Sequence, residues 1–531
     1  MDKMRPRPLG ATLAALATLV GAGCDAPSVA TGFDPPRGPA YGRFRDVTAE
    51  SGVAFQYATP DFKGGGLAVG DLDGDGRPEI LAGRRIGGLA LFHNLGGLRF
   101  ERDDGSGLDP GTEVTALALA DLDNDGDRDL VIASPGTARV MANDGAGRFS
   151  EVARIVETGT TEQLLPTDLD GDGLLDLYFS NYDTQSTLGA ANLVLWNRGG
   201  LRFDAVRLAE SGLSWTTTAF DADGDGDQDL YVANDTLLAD FGRPVESEPT
   251  TSSLQTDLVL RNDGLDGAGA LQLTDLATEL GMSAPRSSMG GTLGDFDGDG
   301  TLDLYVPNLG ANKLFLRGGT GAYRERAEAF GVAGTARLNA RCAERSEDED
   351  CLLLSWSAAL SDFDLDGHDE LLVVNGETEL GRPPPVLLFV RGAAPAFHEV
   401  DSGLGSLDAR GMVVTDLDGD GDQDVVVAQK EAPLEIFETR GRPAAGRWLA
   451  VTLRGNPSNR DGVGAVVTIH QASGRSQLRA VGAGGVINSA APVEACFGLG
   501  TDALESIDVI WPSGHRSHLD RPTSGRIVID E

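Results

Sequence analysis

The sequence predicts an all-β protein, a seven-bladed β-propeller followed by a small antiparallel β domain. Three observations predict it. A nine-residue acidic motif recurs seven times at the spacing of propeller blades, short β-prone segments flank every copy, and the tail alternates apolar runs with Gly and Asn turns.

The motif reads D-x-D-x-D-G-x-x-[DE]. Its copies start at Asp71, Asp121, Asp168, Asp221, Asp295, Asp362 and Asp416, which lie 50, 47, 53, 74, 67 and 54 residues apart. That is the length of a four-stranded blade, with two enlarged connections. Segments such as LAVG and LALA run into the motif and EILAG and DLVIA run out of it, so each loop joins two strands of a sheet. An EF-hand begins in the same way but needs Glu at position 12 and helices on both sides. Position 12 here is Ala82, Ile132, Phe179, Val232, Val306, Val373 or Val427, none of which can bind a cation through its side chain.

Calcium is a hard ion that takes six to eight oxygens at about 2.3–2.6 Å, and the motif offers such a set. Carboxylates at positions 1, 3, 5 and 9 and a main-chain carbonyl at position 7 are the expected ligands. These are Asp71, Asp73, Asp75, Arg77 and Glu79 in the first loop, and Asp121, Asp123, Asp125, Asp127 and Asp129 in the second. The third supplies Asp168, Asp170, Asp172, Leu174 and Asp176, and the fourth Asp221, Asp223, Asp225, Asp227 and Asp229. The fifth supplies Asp295, Asp297, Asp299, Thr301 and Asp303, and the sixth Asp362, Asp364, Asp366, His368 and Glu370. The seventh supplies Asp416, Asp418, Asp420, Asp422 and Asp424. Gly at position 6 allows the backbone to wrap around the ion. Up to seven Ca²⁺ ions are expected. The loops hold 32 of the 82 acidic residues and only two of the Arg or Lys, so without cations each is a cluster of repelling charges. The formal net charge of −39 argues against nucleic acid as a partner, because phosphate binding needs basic residues in excess.

A second repeated element marks the outer edge of the unit: an aromatic residue followed by polar ones, at Phe44, Phe100, Phe149, Phe203, Tyr323 and Phe397, with LQLTD near Leu273 in the remaining place. The first copy precedes the first acidic loop and none follows the seventh. The register is offset by part of a blade, as a closed ring requires if the strand at Phe44 completes the last sheet and leaves no open edge.

Residues 1–24 read as a signal peptide, with Lys3, Arg5 and Arg7 ahead of an apolar run from Leu9 to Val20, too short for a mature membrane span. The run ends in Gly-Ala-Gly-Cys24, similar to a bacterial lipobox, which implies lipidation of Cys24 and a protein of the cell envelope or secreted from it. Residues 25–42 read as a flexible linker, 43–440 as the propeller and 441–531 as the tail domain. Cys342 and Cys351, nine residues apart in a polar insertion, are placed to form a local disulfide in an oxidising compartment. Cys496 lies in an apolar strand and reads as a core thiol. Trp215 and Trp356 occur in matching LSW segments, which points to a shared structural role.

The seven loops with their strands resemble the FG-GAP or VCBS repeats of seven-bladed propellers, including the head of integrin α chains. That resemblance implies calcium ligation by the aspartates at the matching positions. The tail, through RWLAVTLRGNPSNRDGVGAVVTI from Arg447, CFGLG from Cys496 and IDVIWPSG from Ile507, is similar to the ASPIC/UnbV domain of the cartilage acidic protein family and its bacterial relatives.

The sequence carries no HExxH, no GxSxG elbow and no phosphate-binding glycine loop, so no catalytic residue is assigned and a non-enzyme is expected. The preferred reading is a surface-tethered, calcium-binding adhesion module for a protein or glycan, touching the membrane only through a lipid anchor. Recognition is expected on the two long insertions, Asp235 to Thr256 and Ala333 to Cys351. A lyase or hydrolase built from propeller loops and a structural envelope scaffold are the alternatives.

Overall fold

The computed structural model describes residues 41–58, 63–182, 190–235, 256–283, 287–334, 353–376, 383–392, 396–441, 447–482, 484 and 486–531. Cys24, Cys342 and Cys351 lie outside them, as do most of both long insertions.

Seven sheets contain an antiparallel run of four strands each, and the chain builds six of them consecutively from the inside of the ring outward. The first runs through Leu67–Gly70, Glu79–Gly83, Leu89–Gly96 and Arg99–Asp103. Inner strands are packed on both faces, so they read as unbroken apolar runs: every residue of Glu79–Gly83 and of Asp424–Gln429 is buried. Outer strands are more exposed, as in Phe149–Val156, where only Phe149 is buried.

The seventh sheet takes its first three strands, Ala409–Thr415, Asp424–Gln429 and Glu435–Thr439, from the end of the propeller segment, and its fourth, Phe44–Asp46, from the beginning. Phe44 pairs with Thr439 and Asp46 with Phe437. The ring is thereby closed by strand pairing between its two ends, which removes the open sheet edge. All seven aromatic or LQLTD segments form fourth strands.

The tail forms two sheets. One orders Ala495–Gly500, Arg447–Arg454 and Gly525–Asp530; the other orders Ser476–Ala480, Val466–Gln471, Leu504–Ile510 and Arg516–Asp520. The expected antiparallel pattern holds except that Leu449–Arg454 runs parallel to Gly525–Asp530. These two strands are separated by the whole second sheet, so no hairpin constrains their direction. Trp511 is buried in this domain and donates its indole N–H to Ser517 at 2.9 Å.

A glycine-rich segment of the tail enters the centre of the ring. Ser489–Ala490 pairs parallel with Leu67–Ala68 of the first sheet's innermost strand, and Gly484 bridges Thr218 in the fourth sheet. The fit needs glycine where backbones approach: a Cβ on Gly411 would stand 2.1 Å from Ser489 Oγ. Ile487 at the tip packs with Trp215, Trp356, Met289 and Tyr182. The two tryptophans meet edge to face at 5.2 Å, which is the shared role that their matching segments suggested.

The acidic loop ring and its cover

Each acidic loop connects the innermost strand of a sheet to the second, so all seven lie at one end of the ring. Their backbones follow one plan. Gly76, Gly126, Gly173, Gly226, Gly300, Gly367 and Gly421 at position 6 have φ between 84° and 107°, the left-handed region where a side chain is strained. In six of the seven loops the position-6 N–H donates to the position-1 carboxylate. In all seven the position-7 N–H donates to Oδ1 of the position-5 aspartate.

Carboxylate oxygens at positions 1, 3 and 5 converge to within 4.8 Å in the first, second and fourth loops, and those at positions 1, 3 and 9 do so in the third. Burial pushes these acids upward: Glu79 and Asp176 to about 8, Asp121, Asp129 and Asp303 to about 7, and Asp168 and Asp416 to about 6. Position 7 contributes more than a main-chain group in two loops. The side chains of Asp227 and of buried Asp422 face the position-5 carboxylates Asp225 and Asp420 and are raised to about 7 and about 8.

Position 9 has a second task that the motif alone does not reveal. Its carboxylate accepts the position-2 N–H in every loop, for example Leu72 N to Glu79 Oε2 at 2.8 Å and Leu169 N to Asp176 Oδ2 at 3.1 Å. In six loops its other oxygen accepts an N–H from the third strand, as Asn197 N donates to Asp176 Oδ1 at 2.8 Å. The residue therefore braces the blade whether or not a cation is bound, and each oxygen retains a lone pair for one.

Sequence reasoning also missed the ties between blades. Asn143, Asn197 and Asn262 on third strands donate their side-chain amides to the position-2 carbonyls of the preceding loops, Leu72, Leu122 and Leu169. Asn94 does the same to Leu417 and carries the pattern across the closure of the ring. Arg391 plays this part toward Phe296. A signal was present: the four asparagines each stand in an N-x-G turn, where the same side chain accepts the glycine N–H.

The tail domain covers this acidic face. Arg460 Nε lies 3.7 Å from Asp121 and Arg526 Nη2 3.6 Å from Asp416, which sets guanidinium groups beside two position-1 carboxylates. Arg479 Nη1 donates to Asp369 at 3.1 Å, Asp461 accepts the Asp121 N–H at 3.1 Å, and Trp448 rests on Gly421. Between the first, second and seventh loops and the tail lies a cleft of about 320 Å³. Deeper in the channel, buried Glu162 accepts from Lys63 Nζ at 2.8 Å and pairs with Arg85.

The family model described as an FG-GAP-like repeat matches residues 71–132, 121–179 and 168–232, and the model described as ASPIC and UnbV matches 455–530. The chain carries FG-GAP-like repeats and an ASPIC/UnbV domain. Cartilage acidic protein 1 of Mus musculus is 25% identical over 480 residues, covering 75% of this chain and 70% of the relative; the Homo sapiens protein is 25% identical over 480 residues, covering 75% and 68%. Among solved structures, an Agrocybe aegerita lectin recognising non-reducing terminal N-acetylglucosamine aligns with a TM-score of 0.40 and 16% identity, covering 64% of this chain and 82% of that one. Virginiamycin B lyase from Staphylococcus aureus aligns with a TM-score of 0.39 and 10% identity, covering 73% and 99%. The FG-GAP model reaches the first four acidic loops, and the remaining three share their hydrogen-bond plan. The ASPIC/UnbV match includes the segment that fills the channel. No helix among the described residues is long and apolar enough to cross a membrane.

Proposed function

We propose that the protein is an exported, calcium-stabilised binding module, tethered at the cell surface through Cys24, and not an enzyme. The observation that supports it is the shared plan of seven acidic loops, whose carboxylates converge to within 4.8 Å in the first four, with few cations among them. Hard oxygen donors packed this closely favour a divalent cation of calcium's size, and the raised acids mark the cost of leaving the loops empty. The oxygens present fit calcium: positions 1, 3, 5 and 9 supply carboxylates in every loop, and Asp227 and Asp422 add one more in two of them.

Recognition is assigned to the opposite face. The acidic face is covered by the ASPIC/UnbV domain, whereas Asn234 and Asp257, which flank the first long insertion, lie at the far ends of their strands. They are held there by Asn234 N to Asp257 Oδ1 at 2.9 Å and Tyr231 Oη to Asp257 Oδ2 at 2.7 Å. The partner class is a protein or glycan outside the cell.

The test is metal analysis of the signal-free protein with melting curves in calcium and in chelator. Five to seven bound calcium ions and a large loss of stability on chelation are the expected result. At free calcium 100 times Kd, each site contributes about 2.7 kcal/mol. Little bound metal and no shift would refute the calcium reading. Replacing 236–255 and 335–352 by short linkers tests the binding face, with loss of attachment to protein- or glycan-coated surfaces expected at an unchanged melting point.

A further inference from the structure

The first acidic loop differs from its six counterparts in the side chain that faces it. His93 lies on the third strand, with Nδ1 3.2 Å from Asp73 Oδ2 and 3.4 Å from Glu79 Oε1. The three groups place ligand atoms within 4.8 Å of one another. Strand register identifies the same position in every blade, since the following residue pairs with the aromatic residue of the fourth strand, or with Leu273 in LQLTD: Asn94 with Phe100, Asn143 with Phe149, Asn197 with Phe203, Asn262 with Leu273, Arg317 with Tyr323, Arg391 with Phe397 and Thr439 with Phe44. The residues at this position in the other blades are Ala142, Trp196, Arg261, Leu316, Val390 and Glu438, none of which offers an imidazole.

The first loop is also poorer in oxygen donors. Arg77 at position 7 turns its guanidinium onto Asp75 of its own loop, so the position-5 carboxylate is already engaged by a cation. The loop thus has one hard oxygen donor engaged and one borderline nitrogen added.

The distances from His93 to both carboxylates fit a shared ion. Imidazole and carboxylate bonds to zinc of about 2.0–2.1 Å, set tetrahedrally, separate the ligand atoms by about 3.3 Å. His93 stands at 3.2 and 3.4 Å from two carboxylates at once. The histidine–carboxylate hydrogen bonds of the same molecule span 2.6 to 3.1 Å: His470 Nε2 is 2.8 Å and His518 Nδ1 2.6 Å from Asp508, and His518 Nε2 is 3.1 Å from Asp520.

We propose that Asp73, Glu79 and His93 form a mixed carboxylate and imidazole site for a borderline divalent cation of the zinc class, distinct from the all-oxygen loops of the other blades. Imidazole nitrogen favours zinc, copper and nickel over calcium and magnesium, whereas carboxylate and carbonyl oxygens alone favour the latter. Glu79 is fixed by its hydrogen bonds to Leu72 and Asn94, so two of the three donors sit on strands of the blade and not on its loop. The inference stands apart from the calcium reading, because it concerns one loop and a different ion.

The experiment incubates the full mature protein with one equivalent of zinc chloride in millimolar calcium chloride, removes free metal by dialysis against the same calcium buffer, and counts both metals. One zinc retained per chain is expected, with a tetrahedral absorption band when cobalt(II) replaces it. His93→Ala and His93→Gln should each lower zinc affinity by at least about tenfold while leaving calcium content and melting unchanged. A His470→Ala/His518→Ala variant controls for the other histidine pair and should keep the zinc. Displacement of zinc by millimolar calcium, or zinc that persists in His93→Ala, would overturn the proposal.

Discussion

The side-chain amide of Asn488 in the ASPIC/UnbV domain donates to the main-chain carbonyl of Thr115 at 2.6 Å, joining residues 373 positions apart in the sequence. The same amide reaches the carbonyl of Glu162 at 3.1 Å, and the Asn488 N–H donates to that carbonyl as well. One residue of the tail therefore ties together the innermost strands of the second and third sheets.

Asn488→Ala is expected to lower stability by about 1–3 kcal/mol, because it takes the side-chain donor from the Thr115 carbonyl, while the Glu162 carbonyl keeps the main-chain N–H of residue 488. Urea unfolding of the full chain measures it. An unchanged midpoint would mean that the channel segment is not seated as described.

The two tasks of the acidic loop separate by mutation. Asp172→Ala, at an exposed position 5, should lower the melting point in calcium and have little effect in chelator. Asp176→Ala should be destabilising in both, since it frees the Leu169 and Asn197 N–H groups that it braces, at about 1–3 kcal/mol each. Equal behaviour of the two variants would contradict the bracing role.

Calcium-free protein should lose stability as pH rises from about 5 to about 8. Glu79 and Asp176 titrate near 8 and Asp129 near 7 in the folded chain, above the ordinary carboxylate range that the unfolded chain shows. The folded state holds protons that the unfolded state releases, so this stabilisation is complete below about 4 and is lost through the folded values. Calcium holds the same groups ionised and should flatten or reverse the slope. Urea midpoints across pH, with and without chelator, supply the comparison.

Cys496 should be inert in the native protein. Burial, with Glu494 nearby, pushes its thiol up to about 12, against an ordinary value of 9.0. The native thiolate fraction at pH 8 is then about a thousandfold lower than in the unfolded chain. Iodoacetamide should label it only after denaturation, and rapid labelling of folded protein would show that the site opens.

The repeat was legible because metal ligation demands side chains at fixed spacing, and because the aromatic fourth strands kept their own count. Their offset of part of a blade assigns the Phe44 strand to the last sheet, where it pairs with Thr439. The brace at position 9 was hidden, since an acid that binds a cation and one that accepts two N–H groups are spelled alike. The ties from Asn143 and Asn197 were visible as N-x-G turns, but a turn does not announce that its side chain also reaches the neighbouring sheet. The docking of Arg460 and Arg526 was not legible at all: it joins segments hundreds of residues apart, and nothing local in RGNPSNRDG or GRIVID specifies the surface opposite.

The pairing of Phe44 with Thr439 also sets the order in which the molecule can be assembled. A chain emerging from a pore amino end first presents the Phe44 strand early, yet its partner arrives almost four hundred residues later. Until then six sheets can form while the seventh cannot, and the growing arc has two unsatisfied edges. The channel stays open longer still, because Asn488 follows Thr439 by nearly fifty residues. A chain broken off before Thr439 is therefore an open crescent, rich in exposed strand edge, and it is a ready target for proteases that the finished ring resists.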